Sequence, residues 1–232
     1  MKKTFLATLV TSSLLLAPSV FAYEKGDIVF RAGLTSVAPD DSSSNIFVGG
    51  ASSGADLGFG VNVDNNTQLG LNLAYFFDDQ WNVELLAATP FKHDVNVNAN
   101  PLGLGKLGEV THLPPTVTVN YYFNDPAVPF QPYVGAGVNY TLFFDEEFTS
   151  GNASLGFSDL DLDASLGYAL QAGFDLLFAN DWVLNASVRY IDISTDAFFT
   201  LDNAGLGFSN ASGSVSVDVD PYVYTVSVGY KF

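Results

Sequence analysis

The segment from Tyr222 to Phe232 alternates between two kinds of side chain almost without interruption. One face is apolar and largely aromatic, and it carries Tyr222, Tyr224, Val226, Val228, Tyr230 and Phe232. The other face is smaller and more polar, and it carries Val223, Thr225, Ser227, Gly229 and Lys231. A period of two places successive side chains on opposite sides of a β-strand. An aromatic face toward lipid, a smaller face toward a lumen and a terminal aromatic residue are typical of bacterial outer-membrane barrels.

The other end of the chain predicts export. Lys2 and Lys3 are positively charged, residues 4–18 are apolar or small, and Ala22 ends a sequence typical of signal-peptide cleavage sites. These features predict a signal peptide over residues 1–22 and a mature transmembrane β-barrel over residues 23–232. No run of the chain reaches the roughly 18–20 apolar residues that a spanning helix needs. A closed barrel crosses a bilayer without one, because its strands satisfy each other's backbone groups.

Charge and cysteine content exclude several classes of function. The chain has 25 acidic and 8 basic residues, no cysteine and a formal net charge of −17; loss of Lys2 and Lys3 with the signal peptide makes it −19. An acidic chain lacks the basic residues that neutralise phosphates, so no nucleic-acid partner is predicted. An exported chain without cysteine depends on backbone pairing and packing instead of disulfides. No cofactor is predicted.

Eight segments alternate between apolar and more polar residues, and each is close in length to the roughly 9–11 residues of a tilted membrane strand. They are Asp27–Thr35, Gln68–Phe77, Trp81–Phe91, Pro115–Phe123, Pro132–Phe144, Ser165–Phe178, Trp182–Tyr190 and the closing strand. Three connections are short, at residues 78–80, 124–130 and 179–181, and four are long, at 38–67, 92–114, 145–164 and 194–219. Short periplasmic turns and long extracellular loops are the rule for these barrels. The sequence therefore predicts an all-β fold, an eight-stranded antiparallel transmembrane β-barrel, integral to the outer membrane of a Gram-negative cell.

Aromatic residues gather near both ends of these strands, where an amphipathic ring suits the membrane interface. The predicted periplasmic girdle consists of Phe77, Trp81, Tyr121, Phe123, Phe178, Trp182, Tyr230 and Phe232. The predicted outer girdle consists of Phe91, Tyr140, Phe144, Tyr168, Tyr190, Tyr222 and Tyr224. The alternative, a soluble lipocalin-like barrel, would direct its apolar residues inward, which the polar residues of the opposite phase do not allow.

The opposite phase of the strands predicts the contents of the lumen. It places Arg31, Glu84, Asp175 and Arg189 inside, since charges facing lipid cost several kcal/mol near the midplane. An eight-stranded barrel has just enough interior for its own side chains or one small ligand. The four charges are thus interpreted as a paired polar plug, with a transport relay as the alternative. Three apolar residues of the same phase, at mid or outer height, are predicted to line a channel above the plug: Leu86, Ile191 and Val223.

Several motifs resemble the outer membrane protein W family (OmpW/AlkL). They are residues 65–71 (NNTQLGL), 83–93 (VELLAATPFKH), 112–116 (HLPPT), 132–140 (PYVGAGVNY), 160–173, Asp181-Trp182 and Asp220-Pro221. The resemblance covers essentially the whole mature chain. It implies an eight-stranded outer-membrane barrel with a hydrophobic channel for uptake of small apolar molecules, which leave through the barrel wall. Some relatives carry a constricting aromatic at the position of Leu166; here alternation directs Leu166 outward unless a bulge near Gly167 reverses the phase.

Two other classes of function compete with a conduit. An enzyme resembling the lipid A acyltransferase barrels would need a catalytic His and Ser, but only His93 and His112 are present and no nucleophile motif accompanies them. No enzyme is therefore predicted. The two histidines flank the second long connection, where they either form a hydrogen-bonded pair or bind a metal with Asp94 or Glu109. The first interpretation is preferred, and no metal site is predicted.

The remaining alternative is a surface receptor or adhesin, or a structural barrel with a plugged lumen. The four long connections hold fifteen acidic residues, and Asp159, Asp161 and Asp163 share one face of an extended segment. That run lacks the Gly and terminal Glu of an EF-hand loop, so a specific calcium site is not predicted. The default is a solvated acidic face; the second interpretation is loose Mg²⁺ or Ca²⁺ bridging to lipopolysaccharide phosphates. The predicted partners are outer-membrane lipid, lipopolysaccharide and small hydrophobic solutes.

Overall fold

A computed structural model describes residues 22–49, 54–98, 100, 103–178 and 181–232. Eight of its strands close into an antiparallel barrel: β1 Ile28–Ala38, β6 Asn66–Asp78, β7 Trp81–Ala88, β10 Thr116–Tyr122, β11 Phe130–Phe148, β13 Ser165–Phe178, β14 Trp182–Ile191 and β17 Tyr222–Lys231. Each pairs with the next in chain order, and β1 also pairs with β17, from Val29 opposite Lys231 to Ala38 opposite Tyr222. The predicted eight-stranded barrel is confirmed.

The four long connections continue the barrel upward as further strands instead of forming irregular loops. They contain β2 Ser42–Ser43, β3 Phe47–Val48, β4 Ala55–Asp56, β5 Val61–Val63, β8 Phe91–Val97, β9 Lys106–Leu113, β12 Phe157–Leu162, β15 Ser194–Asn203 and β16 Phe208–Asp218. Two short helices complete them, α1 Ser150–Ser154 and a 3₁₀ turn Ala204–Leu206. Strand β11 belongs to both parts, because its lower half pairs with β13 and its upper half with β9. The four connections are long, as predicted, and their strand content was not predicted from the sequence.

The outer surface of the barrel is an apolar belt. Side chains that alternation directs toward lipid are exposed, among them Leu34, Leu73, Val138, Leu170 and Val226. Aromatic residues mark its lower edge, including Phe77, Trp81, Phe123, Phe178, Trp182 and Phe232, all of them exposed. A surface of this kind is stable only against hydrocarbon, since soluble proteins rarely expose contiguous apolar patches of this extent.

Phe91 departs from the predicted outer girdle. It is only 1% exposed, whereas Leu85 on the same predicted strand is 43% exposed. The phase of the strand reverses between β7, whose even-numbered residues are buried, and β8, whose odd-numbered residues are buried. The reversal occurs at Thr89-Pro90, where Pro90 has no N–H to donate to the β-ladder. Between the Leu86–Thr116 and Phe91–His112 pairs this strand also has one residue more than the strand opposite it. The continuous alternating strand over residues 81–91 was therefore a wrong prediction at its upper end.

Two inward-facing glycines make room for large side chains in a narrow lumen. A Cβ at Gly229 would lie 2.6 Å from Cγ of Arg31, and a Cβ at Gly173 would lie 2.7 Å from Cζ of Tyr133. Any other residue at these positions would collide with the neighbouring strand's side chain. The barrel thus encloses residues as large as arginine and tyrosine because the facing positions lack side chains.

The predicted signal peptide, residues 1–22, lies outside the described residues except for Ala22, so its cleavage stays a prediction. The same holds for Ala179 and Asn180 of the third predicted turn. Within the described part of the chain, no helix is long and apolar enough to cross a membrane.

Candidate functional site

A polar plug fills the lower, periplasmic half of the lumen. The structure brings together all four charged residues assigned to it. Arg31 pairs with Glu84 (Nη1 to Oε2, 3.1 Å) and with Asp175 (Nη2 to Oδ2, 2.5 Å), and Arg189 Nη2 lies 2.9 Å from Glu84 Oε1. None of the four is more than 1% exposed. Two guanidinium groups and two carboxylates balance in charge, which allows burial of ions that would each be costly alone.

Neutral side chains complete the plug, and they were not assigned to it from the sequence. The hydroxyls of Tyr23 and Tyr122 donate to Asp175 Oδ2 at 2.5 and 3.1 Å, and Asn185 Nδ2 donates to its Oδ1 at 2.7 Å. Gln171 donates to Glu84 and accepts from Arg189. The Tyr23 ring also stacks on Phe76, with ring centroids 4.0 Å apart. No local sequence pattern identifies Tyr23 as a plug residue, because it precedes the first strand and contacts the plug only in the folded barrel.

An apolar cavity lies above the plug, between the upper strands. Its lining includes Val61, Phe143, Phe199, Val215, Val217 and Ile193, and its empty volume, including space open to solvent, is about 910 Å³. The wall is almost entirely aliphatic and aromatic. An apolar lining of this kind is typical of sites for small apolar ligands.

The three predicted channel-lining residues occupy different places. Ile191 and Val223 are 1% and 2% exposed and belong to the apolar cluster that includes the cavity walls. Leu86 is buried, at 5% exposed, but lies outside that cluster. The cavity itself is lined by other residues, higher in the molecule, so a channel-lining role for all three stays a prediction. Leu166 is 75% exposed, so alternation holds there and it cannot constrict the lumen.

The barrel wall is interrupted at the level between plug and cavity. The β7–β10 ladder ends at Leu86 opposite Thr116, and pairing resumes only at Phe91 opposite His112, between β8 and β9. The intervening residues include Pro90, Pro114 and Pro115, which have no N–H to donate. We call this interruption, between residues 87–90 and 113–115, the seam. Asn139 on the neighbouring strand β11 bridges it, since its Nδ2 donates to Pro114 O at 3.2 Å and to Thr116 Oγ1 at 2.9 Å.

The two histidines pair with each other on the cavity wall. Their Nε2 atoms are 3.0 Å apart, and His93 Nδ1 lies 2.5 Å from the backbone oxygen of Asp64. Asp94 and Glu109, the other candidates for a metal site, pair with Lys106 at 2.7 and 2.6 Å. The structure thus shows the hydrogen-bonded pair. No group of three or more His, Cys, Asp or Glu residues in the described chain is arranged to hold a metal ion.

Burial keeps both imidazoles neutral. It lowers the pKa of His112 to about 3, an effect to which the neighbouring His93 adds, and it lowers the pKa of His93 against the opposing influence of Asp64 and Asp94. A histidine whose folded pKa lies below its unfolded value of about 6.5 stabilises the fold above that pH and destabilises it as the pH falls toward 3. The contribution of the pair is therefore complete at neutral pH and is lost on acidification.

We expect the upper strands to loosen between pH 6 and pH 4 while the barrel stays closed. After correction for the intrinsic pH dependence of exchange, amide hydrogen exchange of β8 and β9 should accelerate in this range, and exchange in β14 and β17 should not change. In a His93→Phe/His112→Phe variant the acceleration should be absent. Equal acid sensitivity in the parent and the variant would show that other groups, such as the acidic residues of the upper strands, control this transition.

The acidic run at residues 159–163 does not form a compact site. Asp159, Asp161 and Asp163 are all exposed. Their exposure favours a solvated acidic surface. Divalent-cation bridging to lipopolysaccharide stays a prediction.

An apolar belt around an eight-stranded barrel with a filled lower lumen defines an integral outer-membrane protein of a Gram-negative bacterium. The model of the OmpW family matches residues 24–232, so the chain belongs to the OmpW family. It is 44% identical over 233 residues to "Outer membrane protein W" of Vibrio cholerae, with 100% of each chain covered. It is 30% identical over 210 residues to "Dibenzothiophene metabolism operon protein PahQ" of Pseudomonas aeruginosa, with 90% of each chain covered.

A solved structure agrees with the fold. The outer membrane protein OprG of Pseudomonas aeruginosa superposes with a TM-score of 0.84 at 43% identity, over 92% of this chain and 99% of the other. Outer membrane protein W and OprG are by name outer-membrane proteins and not enzymes.

Proposed function

We propose that this barrel is a passive outer-membrane conduit for small hydrophobic molecules. The observation that carries the proposal is the position of the apolar cavity, which lies directly above a filled polar layer. A solute that enters from outside finds an apolar wall formed by residues such as Phe143, Phe199 and Val217. Burial of its surface there is favourable at roughly 25 cal/mol per Å².

The polar plug determines where such a solute stops. The side chains of Arg31, Glu84, Asp175 and Arg189 are no more than 1% exposed, so the layer that they form has little free space. An apolar molecule gains nothing from this layer and would break its hydrogen bonds to pass. The plug therefore excludes both hydrophilic solutes and straight passage to the periplasm.

The interrupted wall offers the exit. Between the Leu86–Thr116 pair and the Phe91–His112 pair, the wall lacks the ladder that would otherwise seal it. Three prolines there remove backbone donors, so little backbone pairing has to be broken for a solute to pass into the lipid. The name of PahQ, which refers to the metabolism of an apolar aromatic compound, supports apolar cargo for this family.

A disulfide across the seam tests the lateral exit. If the lower ladder continued, residues 88 and 114 would oppose each other, so the pair Ala88→Cys/Pro114→Cys should lock the wall. We expect uptake of an apolar fluorescent reporter to fall severalfold on oxidation and to return on reduction. The chain has no cysteine of its own to interfere.

The control pair is Leu85→Cys/Val117→Cys, which lies in the same two strands where the ladder is intact and both side chains face lipid. Its oxidation should not change uptake. If the seam disulfide forms and uptake is unaffected, the solute does not leave through this part of the wall.

A further inference from the structure

The histidine pair on the cavity wall has one proton arrangement when both rings are neutral. A backbone oxygen only accepts, so the proton of His93 is on Nδ1, which donates to Asp64 O. His93 Nε2 therefore carries a lone pair. The contact between the two Nε2 atoms at 3.0 Å then requires the proton of His112 to be on Nε2.

This arrangement leaves His112 Nδ1 as a bare acceptor. The atom is buried and has no hydrogen-bond partner among the residues that the structure describes, and His112 as a whole is 5% exposed. Buried acceptors without a donor are rare in proteins, and each is costly. Both imidazoles are among the residues that line the apolar cavity, but its wall exposes no polar atom, and the other lining residues are apolar except for Thr195 and Gly108.

We infer that His112 Nδ1 is a specificity subsite for apolar molecules that carry one hydrogen-bond donor, such as an alkanol or a phenol. The inference rests on the proposed function, because the same cavity must first admit the apolar part of the molecule. The hydroxyl donates to Nδ1 while the hydrocarbon lies against the aliphatic and aromatic wall. Phe91 and Phe143 pack against the His112 ring, with centroids 5.5 and 6.0 Å away. A hydroxyl therefore reaches Nδ1 only when these packed rings move apart.

The chemistry of the site separates ligand classes. An ether of the same size offers no donor and leaves Nδ1 unsatisfied. A carboxylate offers no donor either and would have to lose its hydration in an apolar cavity, which is far more costly. An ammonium group has donors but suffers the same desolvation cost. Neutral hydroxyl compounds are therefore the class that this wall favours.

The test compares n-octanol with its isomer heptyl methyl ether, by displacement of a fluorescent apolar probe from the protein in lipid nanodiscs. A single His112 substitution is not sufficient, because it would free the lone pair of His93 Nε2 as a substitute acceptor. The informative variants are His93→Phe, which keeps one imidazole acceptor on His112, and His93→Phe/His112→Phe, which has no imidazole acceptor. The two variants differ only at residue 112. Octanol and the ether differ in water solubility, but this difference cancels when the octanol-to-ether affinity ratio is compared between variants.

We expect the ratio to be similar in the parent and in His93→Phe, and to fall about fivefold to tenfold in the double variant, as for loss of one buried hydrogen bond. The ¹⁵N resonance of His112 Nδ1 in the parent should shift on addition of octanol and not on addition of the ether. Equal ratios in the two variants, with normal probe binding, would overturn the subsite and leave the conduit intact. Failure of the parent to bind either compound or the probe would overturn the proposed function itself.

Discussion

Replacement of Glu84 by alanine is expected to lower the free energy of unfolding by about 3–5 kcal/mol, because it leaves buried guanidinium groups without their counter-charge. Glu84 is 1% exposed and is paired with both Arg31 and Arg189. No rearrangement within the plug replaces it, since Asp175 already accepts hydrogen bonds from Arg31, Tyr23, Tyr122 and Asn185. Urea unfolding in lipid vesicles measures the change.

Two further variants separate charge from packing. Glu84→Gln keeps the volume and removes the charge, so it should be nearly as destabilising as the alanine variant. Glu109→Gln removes a carboxylate whose ion pairs with Lys92 and Lys106 are partly exposed on the upper strands, and it should leave the unfolding curve unchanged. If Glu84→Gln behaves like the parent, the plug does not depend on its ion pairs.

Introduction of a charge into the apolar cavity should nearly abolish uptake of apolar solutes. Ile193 lines the cavity and is 1% exposed. In Ile193→Asp, an apolar solute would have to displace water from an unpaired carboxylate, which costs more than the 1.4 kcal/mol that corresponds to a factor of ten. We therefore expect uptake to fall at least about tenfold.

Ile193→Leu is the matched control, since it conserves the volume and the apolar character and should retain uptake. The barrel itself should stay folded in both variants, because residue 193 lies between β14 and β15, outside the barrel strands. If Ile193→Asp is folded and takes up the solute as well as the leucine variant does, the cavity is not on the path.

The barrel and the plug could be predicted from the sequence because membrane strands obey a strict period of two. A one-residue shift would have placed Arg31, Glu84, Asp175 and Arg189 in lipid, so their inward direction follows from charge alone. Which of these residues pair with each other does not follow from the sequence. Tyr23, which precedes the first strand, reaches Asp175, and Gln171 on β13 reaches Glu84 on β7; only the closed barrel brings these groups together.

An apolar space above the plug was predicted, but most residues that line the cavity were missed because the long connections were interpreted as loops. A signal was present in two of them: Val61-Asn62-Val63 and Val215-Ser216-Val217-Asp218-Val219 alternate as strictly as the membrane strands. Their odd-numbered residues are buried or partly buried and face the cavity. The reversal of phase at Thr89-Pro90 could not be predicted either. The apolar alternation continues through the proline, so the sequence does not show that the inward-facing residues change from even-numbered to odd-numbered.

The most direct test of the account is uptake into vesicles whose outer leaflet is lipopolysaccharide, a barrier that apolar solutes cross slowly. The protein is reconstituted with its long connections outward, and an apolar fluorescent reporter is compared with a small sugar. We expect the protein to accelerate entry of the reporter and to leave the sugar excluded, because the cavity admits hydrocarbon and the plug closes the lower lumen. Free passage of the sugar, or no acceleration of the reporter by correctly folded protein, would contradict the proposed function.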